Sequence, residues 1–297
     1  MNKMVSEEEL KSYLQAARIH AAAEEVARGV VKEGAGVLSA ADAIEKEIAE
    51  AGGKPAFPVN ISFDSEAAHN TPFAGDERVF AKEVVKVDIG VHVEGCIIDA
   101  GFTMDLGGEN GKLVEASEQA LKDALSVMRA GVKARDVGAV IEKTIRSKGF
   151  KPVENLTGHL LEPYNLHAGI EVPNVAKGGE HVFEEGEVFA VEPFASTGAG
   201  FVSDSNVPAE IFSIISLKNV RMQRSREFLH GVFEERQLLP FAKRWFAGES
   251  MLDFTLRDLG KQGVLHDYPI LVDEGKGLVS QSESTVIIEK DSVKVLV

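Results

Sequence analysis

The segment from Val84 to Asp105, VVKVDIGVHVEGCIIDAGFTMD, constrains this chain more than any other stretch. It predicts a β-hairpin with Glu94-Gly95 as a two-residue turn, the commonest hairpin loop length. In that register Val93 faces Cys96, Val91 faces Ile98, Ile89 faces Ala100 and Val87 faces Phe102, so one face is wholly apolar. A slip of one residue would mix apolar and polar side chains on each face, and the pattern therefore selects its own register. On the other face Asp88 lies across from Gly101 and Asp99 across from Gly90. The two acids become diagonal neighbours roughly 5 to 8 Å apart, with open space expected beside them.

An isolated Asp commonly ends a strand or caps a turn. A same-face pair opposite two glycines fits that role poorly, because strands are depleted in both residue types. Two like charges held so close, on a sheet with an apolar reverse side, call for a cation between them.

With 297 residues the chain can bury a large core, as one sizeable domain or a domain with an insertion. The net charge of -15 argues against a nucleic-acid backbone or an anionic membrane as the main partner. A single cysteine, Cys96, excludes an internal disulfide framework, and its place on the apolar hairpin face makes it a core residue. The start, MNKMVSEEELK, turns acidic before any apolar run, unlike a signal peptide, and no stretch approaches the length of a membrane span. The expected location is the cytoplasm.

Ser6 followed by Glu9 is a capping-box pattern, and Leu10, Tyr13, Leu14, Ala17, Val26 and Val30 continue at helical spacing toward Gly34. A second helix is expected from near Ser39 to Gly52-Gly53, and two more at about 115–130 and 135–148. The stretch from Phe57 to Asp76, which contains His69, reads as an ordered loop with short extended pieces. At an offset of 97 positions the sequence repeats itself. Gly34 matches Gly131, Ile44-Glu45-Lys46 matches Ile141-Glu142-Lys143, Ile48 matches Ile145, Gly52 matches Gly149 and Lys54-Pro55 matches Lys151-Pro152. Eight identities in twenty-two positions exceed the about one or two expected by chance, which implies two similar halves, each of helices followed by strands. A site at the seam between them is the natural place for function.

The second half supplies His159 and His167 in NLTGHLLEPYNLHAG, Glu192 on the strand GEVFAVEP, and Glu283 on the last strand, LVSQSESTVIIE. Between these glutamates the character changes, over about 202–266, to a basic and aromatic helical run read as an inserted subdomain with its own small core. The domain boundaries expected are therefore 1–201 with 267–297 for the main domain and 202–266 for the insert. Asp88, Asp99, His159, Glu192 and Glu283 together would suit a pair of divalent ions, with acids bridging and neutralising the metals. Taken singly, a strand Glu is more often solvent-facing and a lone His more often structural, and periodicity does not bring the five together.

VDIGVHVEGCIIDAGFT, TGHLLEPYNLHAG, FAVEPFASTG and the terminal SEST strand together resemble the methionine aminopeptidases, metalloenzymes of the pita-bread fold, over essentially the whole chain. The insertion before the last glutamate resembles the type II branch, and the short N-terminal segment its archaeal members. The resemblance implies an α+β fold of two pseudo-symmetric halves, an antiparallel sheet covered by helices, and a monomer that removes the initiator methionine before a small second residue. It makes Asp99 and Glu283 bridging ligands of two divalent ions (Co, Mn, Fe or Zn), with Asp88 completing one metal site and His159 and Glu192 the other. A water bridging the ions would be the nucleophile. Glu192 would also move protons, His69 would contact substrate near the scissile bond, and His167 would stabilise the tetrahedral intermediate, a task that needs a donor aimed at the developing oxyanion. A methionine pocket lined by Phe57, Pro58, Asn60, Leu166, Phe194 and Tyr268 follows from the same resemblance. The implied partner is the N-terminus of a nascent polypeptide, met at the ribosome.

The chain departs from the family at Ser284, where a His commonly follows the final glutamate; the expected effect is on tuning of the centre, with metal binding intact. Prolidases and aminopeptidases P share the fold and a similar ligand set, but resemble this chain only after a separate N-terminal domain. The non-catalytic proliferation-associated relatives of the type II enzymes have lost metal ligands, and all five positions stand here.

Overall fold

The structure is a computed structural model and describes residues 5–297. The hairpin forms as Val84–Val93 paired with Cys96–Asp105 in the expected register, Asp88 opposite Gly101 and Gly90 opposite Asp99. Its turn residues Glu94 (φ 50°) and Gly95 (φ 85°) both lie in the left-handed region, as a tight two-residue turn with the native strand twist requires. Tyr164 packs its ring where a Cβ on Gly95 would stand, 2.3 Å from its nearest atom. The turn is thus locked from outside as well as by its own dihedrals.

Both faces of the hairpin are buried. Val85, Val87, Ile89 and Val91 are fully covered, and on the other face Lys86, His92 and Asp99 are no more than 3% exposed. The apolar face receives helices α1 (Glu7–Val30) and α2 (Val37–Glu50), whose Tyr13, Ala16, Ala23, Ile44 and Ile48 share one core with it, Cys96 included. Helix α1 opens on the expected capping box, with Ser6 Oγ accepting from Glu9 N and the Glu9 carboxylate accepting from Ser6 N. Helix α2 begins earlier than Ser39. No side chain caps it; its first N–H, that of Val37, donates to Arg78 O at 2.9 Å, and buried Val37 anchors the first turn. The segment after Phe57 is more regular than a loop: Asn60–Phe63 is a full strand along Val84–Val93.

The second half repeats the first. Helices α3 (Gly111–Val127) and α4 (Ala134–Ser147) have their own apolar core, and α4 begins and ends at the offset from α2 seen in the sequence. α3 starts at Gly111, four residues before the sequence pattern suggested, and ends at the same offset from the end of α1. Gly34 and Gly131, and Gly52 and Gly149, adopt matching positive φ values of 81°, 86°, 86° and 87°, so the shared glycines mark identical chain reversals. The sheet of this half runs Val293–Val295, Ser284–Ile288, Val188–Val191, Thr157–Leu161, Glu171–Pro173, all antiparallel. The halves are joined at their strands: Thr285 Oγ1 donates to Asp99 O (2.7 Å) and accepts from Asp99 N (2.8 Å).

Within 202–266 lie α5 (Gln223–Arg236) and α6 (Leu252–Lys261), packed around Leu229, Val232, Phe241, Leu256 and Leu259. Beside these helices stands a three-stranded sheet of Ile211–Ile214, Phe241–Ala242 and Leu265–Tyr268. Strands of two to four residues are too short to leave a period in the sequence. At the edges the segment shares structure with the rest: Val202–Asp204 pairs with Leu271–Asp273, which in turn pairs with Glu66–Ala68. No described helix is long and apolar enough to cross a membrane.

Replacing Gly95 with Ala should cost about 1 to 3 kcal/mol, since it adds left-handed strain and displaces the Tyr164 ring. Urea unfolding measures this, and a loss below about 0.5 kcal/mol would mean that the turn is free to reopen.

Candidate metal centre

The hairpin delivers Asp88 and Asp99 side by side on the face turned toward the second half. Asn60 is the Cα partner of Asp88 on the neighbouring strand. The glycines opposite the acids do not leave open space, contrary to the sequence reading. A Cβ on Gly90 would fall 2.2 Å from the Phe57 ring, and one on Gly101 would stand 3.2 Å from both Glu283 Oε2 and Gln281 Nε2. Each missing side chain makes room for another member of the site: an aromatic wall at Gly90 and a carboxylate at Gly101.

From the second half, His159 projects from the middle of Thr157–Leu161. Glu192 comes one residue after Val188–Val191, where the chain leaves one sheet for the strand Phe194–Ser196 of another. Asn174 holds this break, donating to Leu156 O (2.8 Å) and Glu192 O (3.3 Å) and accepting from Phe194 N (3.3 Å). Glu283 occupies a similar break between Val279–Gln281 and Ser284–Ile288. Its N–H donates to Gly101 O (2.8 Å), and Gln281 Nε2 donates to its carboxylate (3.1 Å). Both glutamates were expected inside strands. They sit at interruptions, which free the side chain from the alternation of a regular sheet.

All five candidate ligands meet. His159 Nε2 is 3.5 Å from Asp99 Oδ2 and 3.7 Å from Glu192 Oε1. Donor atoms of Asp99, His159 and Glu283 lie within 4.8 Å of one another. Burial raises Asp88 to about 7. Burial, followed by repulsion from neighbouring carboxylates, lifts Asp99, Glu192 and Glu283 well above the usual carboxylate range. Burial likewise holds His159 well below its ordinary value, so the imidazole is neutral. Asp88 Oδ1 and Asp99 Oδ1 are buried without a hydrogen-bond donor. Four acids, one neutral imidazole and unsatisfied carboxylate oxygens make a donor set for hard or borderline divalent cations, which would remove the repulsion that raises these pKa values.

The centre forms the floor of a cleft walled by Phe57, Asn60, Ala68, His69, Leu166, His167, Ile211, Pro240 and Tyr268. His69 has an unusual φ of 66° and donates from Nδ1 to Pro269 O at 3.3 Å, which leaves Nε2 as the other ring nitrogen. His167 stands 4.4 Å, ring to ring, from His159 and 6.3 Å from Tyr268. Burial depresses both histidines to about 4, and electrostatic repulsion adds to it, from the neighbouring His167 for His69 and from His266 for His167. Each would meet a substrate as a neutral ring.

Of the six expected pocket residues, Phe57, Asn60, Leu166 and Tyr268 reach the cleft. Pro58 and Phe194 are buried elsewhere and do not line it. Phe194 begins a new strand after the break at Glu192, and so packs with Ala67, Val153, Val202 and Val279. Sequence reasoning missed Ala68, Ile211 and Pro240, the last two supplied from 202–266. The only signal for Ala68 was adjacency to His69; nothing local marks the others. Ser284 donates to the Val297 oxygen and points away from the donor set.

Residues 11–232 match metallopeptidase family M24. The methionine aminopeptidase of Pyrococcus horikoshii is 43% identical over 287 residues, 95% of this chain and 97% of that protein. That of Thermococcus kodakarensis is 46% identical over 281 residues, covering 91% and 95%. A methionine aminopeptidase structure from Thermotoga maritima superposes with a TM-score of 0.72 at 20% identity, covering 100% of this chain and 99% of that one. A thermophilic Arx1 gives 0.86 at 18% identity over 98% and 91%. The prolidase of Pyrococcus furiosus gives 0.63 at 18% identity, but only 64% of its chain is covered. At these identities the solved structures establish the shared fold.

The raised carboxylates set a pH dependence. Between about pH 4 and pH 7 an unfolded chain ionises these acids while Asp88 in the folded, chelator-treated centre still holds its proton, and Asp99 and Glu283 are raised in the same direction, so rising pH favours unfolding across that window. The depressed histidines act in the opposite sense: their stability contribution is lost as pH falls from 6.5 toward 4. Buried Lys86, lowered to about 7, opposes the acids above neutrality but is not altered by a cation at the centre. The stabilisation produced by adding a divalent metal should therefore widen as pH rises from about 5 to about 7 in thermal melts, and a gap independent of pH would contradict this electrostatic account.

Proposed function

The chain belongs to metallopeptidase family M24 and, within it, to the methionine aminopeptidases, and from that premise we propose that it uses two divalent cations to release methionine from polypeptide N-termini whose second residue is small. The observation that carries this reading is the convergence of Asp88, Asp99, His159, Glu192 and Glu283 at the seam of the halves, with His69 and His167 on the same cleft. Asp99 and Glu283 would bridge the ions; Asp88 would complete one site and His159 with Glu192 the other. Bound there, the cations would neutralise the acids, lower the pKa of a water and polarise the scissile carbonyl.

The rest of the chemistry belongs to the chain. Glu192, whose carboxylate lies 3.7 Å from His159 Nε2 on the same cleft, would take a proton from the attacking water and return it to the leaving amine. A neutral His167 can donate to the oxyanion of the tetrahedral intermediate without first giving up a charge. His69 is placed to contact the peptide near the scissile bond. Phe57, Leu166, Tyr268 and the newly found Ile211 and Pro240 form an apolar receptacle for a flexible thioether, with Asn60 at its edge. In this reading residues 202–266 form an inserted subdomain that supplies one wall of that receptacle. The partner is the N-terminus of a nascent chain, encountered at the ribosome in the cytoplasm, and the protein acts as a monomer.

Release of methionine from Met-Ala-Ser, set beside an Xaa-Pro peptide and with metal content measured by elemental analysis, tests the reading. Methionine release with two metals per chain is expected; a preference for the Xaa-Pro peptide would sink it. Asp99→Asn should abolish turnover and most metal binding, whereas an active variant with two metals would overturn the bridging role. His167→Ala should lower kcat by an amount equivalent to roughly 2.7 to 4 kcal/mol with metal content nearly unchanged.

A further inference from the structure

Two walls of the cleft come from distant parts of the chain: Phe57 from the first half and Pro240 from 202–266. Neither is held by a strand pairing with the other. Instead one side chain, Arg236 at the end of α5, lies behind both. Its Nη2 donates to Pro55 O (2.7 Å) and Ala56 O (3.4 Å) just before Phe57, and its Nε and Nη2 donate to Pro240 O (3.1 and 2.9 Å). The planar guanidinium spans the gap as a fork, and it is 4% exposed.

This is a costly way to join two segments. Burial lowers the guanidinium from its ordinary value to about 10, and its four hydrogen bonds go to neutral carbonyls. The Trp245 ring lies under it at 4.6 Å and is itself fixed, with Nε1 donating to Glu45 at 2.8 Å. Glu45 also pairs with Arg244 and accepts from Val59 N (3.2 Å), two residues beyond Phe57. Phe57 is therefore gripped on both sides from the insert: before it by Arg236, after it through Glu45. The Phe57 ring has no freedom on its other side either, since it fills the space left by Gly90.

We propose that Arg236 is a positioning residue for side-chain specificity: by bonding Pro55, Ala56 and Pro240 at once, it sets the separation of the Phe57 and Pro240 walls to the width of an unbranched methionine side chain. This rests on the reading of that wall as the methionine receptacle. The centre itself is not involved, because Arg236 touches none of its five ligands. Discrimination among similar apolar side chains depends on small differences in fit, and a wall free to shift loses it.

The test compares wild type, Arg236→Met and Arg236→Lys on Met-Ala-Ser, Leu-Ala-Ser and Phe-Ala-Ser, with metal content and melting temperature recorded for each. Turnover of Met-Ala-Ser by the wild type tests the functional reading independently of the variants. Arg236→Met should raise KM for Met-Ala-Ser about tenfold, change kcat less than about threefold, and lower the preference for methionine over leucine and phenylalanine about tenfold, with two metals retained. Arg236→Lys should fall between, since an ammonium reaches one carbonyl group of the set but cannot fork across the gap. A fall in melting temperature and in active fraction, with KM and the methionine preference unchanged, would make Arg236 a stability residue only and overturn the proposal. Should Arg236→Met not fold, the KM and selectivity of Arg236→Lys decide the same question.

Discussion

The structure depends on holding four carboxylates together on the floor of a narrow cleft. Burial raises the pKa of Asp88, Asp99, Glu192 and Glu283, and for the last three repulsion from neighbouring carboxylates adds to it. A single half could not impose this, since each contributes only part of the set. What overcomes it is everything packed behind: α1 and α2 on the hairpin, α3 and α4 on the second sheet, and the paired bonds between Thr285 and Asp99. The scaffold's apolar burial supplies the free energy that a cluster of like charges costs.

The two halves share a plan but have diverged where the chemistry lies. Helices α2 and α4 and their flanking glycines remain superimposable at the sequence offset. The strands do not. The first half keeps one long, uninterrupted hairpin, whereas the second breaks its strands next to Glu192 and Glu283 and carries residues 202–266 between them. Rigid, regular elements carry the aspartates, and interrupted ones carry the glutamates.

How much of this could be read beforehand follows from the range of each signal. The hairpin register was legible because a period of two and two glycines admit a single solution, and the capping box of Ser6 and Glu9 because it is local. The start of α2 was misread, since the Val37 N–H is satisfied by Arg78, forty-one positions away. The space beside Gly90 was misjudged for the same reason: its occupant, Phe57, arrives from another segment. Phe194 was assigned to the pocket by family resemblance, but the chain breaks after Val191 and Phe194 opens a new strand that packs into another cluster. Ile211 and Pro240 left no trace at all, because only tertiary folding brings them to the cleft. The five candidate donors, which the structure brings to one cleft, were readable from local motifs and family resemblance, whereas the shape of the walls was not.

The reciprocal bonds between Thr285 and Asp99 carry a consequence for how the centre is assembled. They span 186 positions, and Glu283 lies within the same closing strand region. A contact of that sequence separation carries a larger loop-closure cost than the local helices and the hairpin. The first half alone presents Asp88 and Asp99 and lacks His159, Glu192 and Glu283. The complete donor set thus requires both halves to be in place at once.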